Sequence, residues 1–170
     1  MEPLQTRVGG KNDAIFLKEE VKAEIWRGHR GYYTDAPDEI PAMVDLIVGT
    51  GRIYIAQRIA AGDGVNSAMN YMSVGTVTTA PASANTTITG EVVRKILAVS
   101  SVLATNVYTA VCTFGGAAES IQSLAITEAG LFNHASSGQG TMMQRVTFAA
   151  VTLANSDLLK LTLQTNVGSG

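Results

Sequence analysis

Apolar and polar residues alternate with a period of two through most of the chain from Met69 onward. Because successive side chains of a β-strand point to opposite faces, this alternation predicts strands. We predict six of them, at residues 71–75, 91–103, 107–114, 123–132, 142–151 and 158–167. The intervening segments are rich in Gly, Ser, Thr, Ala and Asn, which is typical of turns and loops.

Before residue 62, two segments show apolar residues at near-helical spacing, whereas residues 1–12 show no periodicity and residues 32–41 form an irregular linker. A helix is predicted from Asn12 or Asp13, either of which suits a helix cap, to about Arg27. A second helix, broken or kinked, is predicted over residues 42–61, because Gly49 and Gly51 weaken the helical pattern. The turn signal Gly-Asp-Gly at 62–64 should end it.

Together these elements predict a mainly β fold. We expect an antiparallel β-sandwich or jelly-roll-like domain with one or two helices on its N-terminal side. The chain is divided into an N-terminal arm and helix (residues 1–45) and a β-sandwich domain (residues 46–170). A length of 170 residues suffices for one domain with a sizeable core.

Charged side chains are scarce and unevenly distributed. Only 15% of the residues are charged, and 15 of these 26 side chains lie in residues 1–45. Soluble monomers normally keep a charged surface. The charge-poor remainder therefore predicts a domain whose surface is covered by its own copies or by other proteins. A monomeric sandwich with a Thr/Ser face is the alternative.

Composition also argues against several classes of partner. A net charge of −2 without a basic patch disfavours nucleic acid, and no apolar run reaches the ~18 residues of a membrane span. The N-terminal segment lacks the pattern of a secretion signal, which predicts synthesis in a cytosol. The single cysteine, Cys112, excludes an internal disulfide and a Cys-based zinc site, and we expect neither metal nor cofactor.

No catalytic constellation stands out, so we expect no enzymatic activity. A Ser–His–Asp set can be assembled on paper from Ser136, His134 and Asp157, but no Gly-x-Ser-x-Gly elbow accompanies it. Glycosidase-like paired carboxylates would have to come from five acids, namely Asp63, Glu91, Glu119, Glu128 and Asp157.

Two of these acids, Glu91 and Glu128, lie in apolar strand contexts that suit an interior position. An isolated buried charge is costly, so interior acids are usually paired. We therefore predict that Glu91 and Glu128 pair with Arg94 or Arg145. For Glu128 we expect a structural role, with Arg94, Arg145 or backbone amides as its partners.

A series of short segments occurs in a fixed order between residues 46 and 167. They are LIVGTGRIYIA at 46–56, YMSVGT at 71–76, AP at 80–81, TTITGE at 86–91 followed by Arg94, ITEAGLF at 126–132, and MMQR at 142–145. This series resembles small virion structural proteins of tailed bacteriophages and is similar to the N-terminal module of phage tail-collar and tail-fibre proteins. The chain departs from that pattern at Val77, where a second glycine would stand, and residues 1–45 have no counterpart in it.

The resemblance implies a structural function without an active site. It implies a capsid decoration or cement protein, located in the virion and assembled in the host bacterial cytoplasm. Its partners would be its own copies, as a dimer or trimer, and the major capsid protein or other virion proteins. A tail, collar or baseplate component is the first alternative. A carbohydrate-binding β-sandwich is the second, disfavoured because the candidate aromatic residues lie outside the predicted β-domain.

The N-terminal arm combines many charges with large apolar side chains. Such an arm either folds back onto its own domain or reaches a neighbouring subunit, and we favour reaching, with aromatic anchors buried in the neighbour. The predicted interface residues are Phe16, Trp26, Tyr32 and Tyr33, with Trp26 as the main anchor.

Overall fold

A computed structural model describes residues 15–27, 36–40, 44–61, 67–102 and 107–169. Within these ranges the backbone forms ten strands and one helix. In chain order they are β1 (Ile15–Trp26), β2 (Asp38–Glu39), β3 (Val44–Ile47), α1 (Gly49–Ala61), β4 (Tyr71–Gly75), β5 (Glu91–Ile96), β6 (Val99–Val102), β7 (Val107–Gly115), β8 (Ala125–Phe132), β9 (Met142–Thr152) and β10 (Leu158–Ser169).

The strands form two antiparallel sheets of five. Sheet A has the order β2-β1-β10-β7-β6, and sheet B has the order β3-β9-β8-β4-β5. Side chains from both sheets share one hydrophobic core, with Phe114 and Leu161 contributed by sheet A and Met72 and Leu131 by sheet B. The prediction of a mainly β, antiparallel fold is confirmed.

The helix predicted up to Arg27 is wrong, because this segment is strand β1. It pairs with β10 along its whole length, from Ile15 opposite Ser169 to Trp26 opposite Leu158. Ala23 and Ile25 point into the shared core, whereas Lys22 is exposed on the other face. Pairing with the leucine-rich strand β10 outweighs the helix propensity of the Lys, Glu and Ala residues.

The helix predicted over residues 42–61 is wrong in its first part. Val44–Ile47 is strand β3, which pairs with β9, and only Gly49–Ala61 is helical. The glycines therefore mark the change from strand to helix rather than a kink within a helix. The predicted turn at 62–64 lies outside the described residues.

The strand predicted over residues 91–103 is divided between the two sheets. Leu97 donates its backbone N–H to Asn70 beside β4, and the next residue, Ala98, donates to Val111 of β7. The chain therefore passes from the edge of sheet B (β5) to the edge of sheet A (β6) at this point.

Strands β1 and β2 lie in the predicted N-terminal arm and are part of sheet A. The expected reach toward a neighbouring subunit does not hold for residues 15–26, because they pair with β10 of the same chain. The predicted division after residue 45 falls inside β3, and the core includes residues from both sides of it.

Candidate functional site

Glu128 and Arg145 form a buried ion pair on the face of sheet B that points away from the shared core. The guanidinium Nε of Arg145 donates to Glu128 Oε2 at 2.9 Å, and Nη2 lies 2.8 Å from the same oxygen. The other carboxylate oxygen accepts the backbone N–H of Val77 at 3.2 Å. Arg145 Nη1 also donates to Asn85 Oδ1 at 3.0 Å and to the carbonyl of Ala80. Both charges are thus satisfied by specific partners, as burial requires.

A second ion pair joins Glu91 and Arg94 of β5. Arg94 Nε lies 2.7 Å from Glu91 Oε1 and Nη2 lies 2.9 Å from Oε2, a bidentate arrangement. The guanidinium also lies 3.6 Å from the ring centroid of Phe132. Its Nη1 donates to the carbonyls of His134 and Gln139. Arg94 therefore ties the loop 133–141 to the edge strand of sheet B.

A small apolar cluster lies on the same face of sheet B as the two ion pairs. It consists of Val48, Ile88, Phe132 and Met142, with Tyr71 packed against it. Ile88 belongs to the segment 76–90, which lies over the sheet at this point. A Cβ atom at Gly130 would come within 2.8 Å of Ile88 Cδ1. A side chain at Gly130 would therefore require Ile88 to shift.

The start of helix α1 packs against the same region. Gly49 donates its N–H to the carbonyl of Ser83 at 2.7 Å, and Thr50 Oγ1 donates to the carbonyl of Met142 at 2.8 Å. A Cβ atom at Gly51 would lie only 2.1 Å from the carbonyl oxygen of Met143. Of the two glycines that weaken the helical pattern, Gly51 is therefore needed for contact between the helix and β9, and Gly49 for the close approach of Ser83 in segment 76–90.

Of the two arginines predicted as partners of Glu128, the structure brings Arg145 into contact and leaves Arg94 with Glu91. The register explains the difference. Arg145 lies on β9, which adjoins β8, whereas Arg94 lies on β5, which is separated from β8 by β4. The predicted pairing of Glu91 with an arginine is present, but its partner is three residues away on its own strand.

The structure does not bring together His134, Ser136 and Asp157, the three residues considered above as a possible Ser–His–Asp triad. His134 and Ser136 lie in the loop before β9, and Asp157 follows β9 at its other end. Eleven residues of strand separate these ends by roughly 35 Å. Asp157 accepts from Arg27 at 2.8 Å and from the backbone N–H of Ala154 at 3.0 Å, so it closes the turn before β10.

The other candidate acids also have cationic partners. Glu119 pairs with Lys95, and Glu91 and Glu128 pair with arginines, while Asp63 lies outside the described residues. Among the described residues, no cluster of His, Cys, Asp and Glu side chains is arranged to hold a metal ion. Burial raises the pKa of the Cys112 thiol to about 11, so at neutral pH it is a protonated core side chain.

The predicted interface residues are only partly described. Trp26 is half-buried at the end of β1, and with Thr113, Leu158 and Lys160 it lines a hollow on sheet A. Phe16 lies on β1, but its side chain, like the whole of Tyr32 and Tyr33, is outside the described residues. The sequence analysis placed Trp26 outside the β-domain. In the structure it lies in strand β1 of sheet A and so belongs to the β-domain.

Sequence reasoning missed the roles of Asn85, Ala80 and Val77, which surround the Glu128–Arg145 pair. Two of these contacts use backbone atoms, for which side-chain identity carries no signal.

No helix in the described part of the chain combines the length and apolar character needed to span a membrane. The chain matches no protein-family model, and neither a curated protein nor a solved structure shows significant similarity to it.

Proposed function

We propose that the protein is a non-enzymatic structural component of a tailed-phage virion, a capsid decoration protein that stabilises the shell. It would act through contacts with its own copies and with the major capsid protein. We also propose that the two sheets are the two layers of an antiparallel β-sandwich, the form in which such a module would present its edges and faces to neighbours.

The observation that carries this proposal is the meeting of distant motif segments in one buried cluster. Gly75, at the end of β4, and Ala80, in segment 76–90, lie beside Glu128 of the ITEAGLF segment and Arg145 of the MMQR segment. Along the chain, Arg145 is 17 positions from its partner Glu128 and 65 positions from its partner Ala80. The series that resembles virion proteins therefore corresponds to one structural unit, and four of its charged members, Glu91, Arg94, Glu128 and Arg145, are engaged in ion pairs.

Assembly is supported by the edge strand β5. Its exposed side chains include Val92 and Ile96, and Ile96 is 63% exposed. Charged side chains can protect an edge strand from pairing with other chains, but the two cationic residues of β5, Arg94 and Lys95, are held in contacts within the protein. Arg94 binds Glu91, and Lys95 binds Glu119 and the carbonyl of Thr113. An edge of this kind favours pairing with a strand of a second copy.

The ion pairs formed by charged residues in the range 46–170 also support assembly. In residues 46–170 the ion pairs use Glu91, Arg94, Lys95, Glu119, Glu128, Arg145, Asp157 and Lys160. A surface with few solvated charges suits a protein that is covered by neighbours.

Self-association through β5 is tested by Ile96→Lys. The wild-type chain should form a dimer or trimer, and the variant should approach the 17.8 kDa of a monomer, as measured by light scattering after size-exclusion chromatography. Ile53→Lys is the matched control, because Ile53 on α1 is 59% exposed. A monomeric wild-type chain, or an equal effect of both substitutions, would contradict assembly through this edge.

The virion role is tested by locating the protein on particles. Gold-labelled antibodies raised against the recombinant chain should bind the shell of purified phage particles from the source culture. Labelling confined to the tail would favour the tail, collar or baseplate alternative, and unlabelled particles would contradict a virion role.

A further inference from the structure

Strands β1, β10 and β7 carry polar and charged side chains on the face of sheet A that points away from the core. Register places its side chains in rows across the three strands: Glu24 beside Lys160 and Thr113, Lys22 beside Thr162 and Val111, and Glu20 beside Gln164 and Thr109. Apart from Glu24, these side chains are half-buried or exposed in the described part of the chain. In contrast, the outer face of sheet B is occupied by segment 76–90 and α1.

One end of this face has an aromatic hollow of about 270 Å³. Trp26 lines it together with Thr113, Leu158 and Lys160. An indole ring beside a leucine offers a flat apolar surface, and the threonine hydroxyl supplies a hydrogen-bonding group next to it.

The other end has a smaller polar hollow of about 70 Å³, lined by Glu20, Val107, Gln164 and Asn166. The Oδ1 atom of Asn166 is buried and accepts no hydrogen bond in the structure. Buried polar atoms nearly always have a partner, so an acceptor of this kind at a hollow points to a donor that the described residues do not supply. The two hollows are separated by about six residues of β10, or roughly 20 Å.

The charges between the hollows are compensated within the protein. Glu24 lies 3.0 Å from the ammonium of Lys160 and 3.4 Å from that of Lys22, and Lys22 also lies 3.1 Å from Glu39. Lys22 and Lys160 therefore have acidic partners, and Glu20 adds a further negative charge. Among the side chains that the structure describes on this face, no cation lacks such a partner, which disfavours nucleic acid and acidic polysaccharides. Lys18 lies on the same face opposite Asn166, but its side chain is outside the described residues.

We propose that this face of sheet A binds a neutral oligosaccharide in extended form. A sugar ring has an apolar C–H face that suits Trp26, and hydroxyl groups that donate to Asn166 and Glu20 and exchange hydrogen bonds with Gln164. A few polar groups placed beside an apolar surface are what orients a small ligand in a binding site. The spacing of the two hollows requires a chain of several sugars rather than a single one.

This inference is independent of the proposed virion role, because it uses the face of sheet A whereas assembly uses the β5 edge of sheet B. A monomeric protein can still bind glycan here, and an assembled one can fail to. The two proposals therefore fail separately.

The test begins with a glycan array that carries neutral and anionic oligosaccharides side by side, probed with the full-length protein. The best neutral oligosaccharide is then titrated in solution. Trp26 is the only tryptophan of the chain, so its emission reports directly on this face. Binding should shift the emission and protect Trp26 from quenching by acrylamide.

Variants locate the binding site. Trp26→Ala should weaken binding by at least about tenfold and Gln164→Ala by about threefold or more, both measured by calorimetry. Trp26→Phe keeps an aromatic ring and should retain part of the affinity if the alanine variant folds poorly. Ile53→Ala, which lies on α1, should bind as the wild type does.

Three results would overturn the proposal. One is the absence of binding to any neutral oligosaccharide at about 1 mM, an affinity at the weak end of specific recognition. Another is preferential binding of anionic glycans. The third is acrylamide quenching of Trp26 in the free protein at the level of a fully shielded indole, which would mean that another part of the chain covers this face.

Discussion

At the scale of single residues, the chain uses its few charges as internal connections. Glu128 and Arg145 are almost completely buried, and each has partners from more than one segment. Glu24 is likewise buried, and it is held by lysines on two strands. The stability of such groups depends on the partner rather than on the charge itself, because an unpaired charge in the interior is strongly destabilising.

Replacing Glu128 by Ala should lower the free energy of unfolding by about 3–5 kcal/mol, because it leaves the Arg145 guanidinium buried without its carboxylate. Denaturant unfolding at pH 7 measures the change. Glu39→Ala is the matched control, since its ion pair with Lys22 is exposed to solvent and should contribute little to stability. Equal stability of the Glu128→Ala and wild-type proteins would show that the pair is unimportant.

Glu24 gives the protein an acid-sensitive contact. Burial alone would raise the pKa of its carboxyl, but the hydrogen bonds and charges of Lys160 and Lys22 outweigh burial and hold that pKa below its ordinary value. A lowered folded-state pKa means that the contribution to stability is present above the unfolded-state pKa, about 4.3, and is lost as the pH falls through the lowered value.

Glu24→Gln should therefore lose less stability than the wild type when the pH is lowered from neutral to below about 4. Unfolding curves over that pH range provide the measurement, with exposed Glu39→Gln as the control. Parallel pH profiles for the wild-type and Glu24→Gln chains would contradict the expected linkage.

At the scale of secondary-structure elements, the strands follow local patterns where one face is buried and the other is polar. Strand β4 has the predicted bounds, and β7 extends one residue beyond them. Strand β1 and the first part of the 42–61 segment do not follow the prediction. Their apolar residues fit a helical period as well as a strand, so only the neighbouring strands β10 and β9 decide between the two.

Gly51→Ala should destabilise the protein by about 1–3 kcal/mol, because the new methyl group would overlap a backbone carbonyl of β9 that cannot move without distorting the sheet. Thermal unfolding is the measurement. Arg52→Ala, at the exposed next position of α1, should leave stability within about 0.5 kcal/mol. A Gly51→Ala protein that melts with the control would show that the helix start is free to shift.

At the scale of the whole molecule, the N-terminal segment completes sheet A. Without β1, the strand β10 would become an edge, and the core would lose Ala23 and Ile25. Deleting residues 1–27 should therefore abolish cooperative unfolding or make the protein aggregate, as followed by circular dichroism and light scattering. Deleting residues 1–12, which leaves β1 intact, is the control. A shortened chain that melts like the control would restore the hypothesis of a separate arm.

The sequence by itself determined the class of the fold, the positions of most strands after residue 69 and the pairing of interior acids with arginines. These follow from local rules: side chains alternate along a strand, and a buried carboxylate needs a cation.

Only the tertiary structure decided that β1 is a strand, that residues 91–102 change sheets at Leu97, and that Arg145 rather than Arg94 binds Glu128. Each of these depends on which strand lies beside which. That order is set by contacts between residues far apart along the chain, for which a local pattern carries no information.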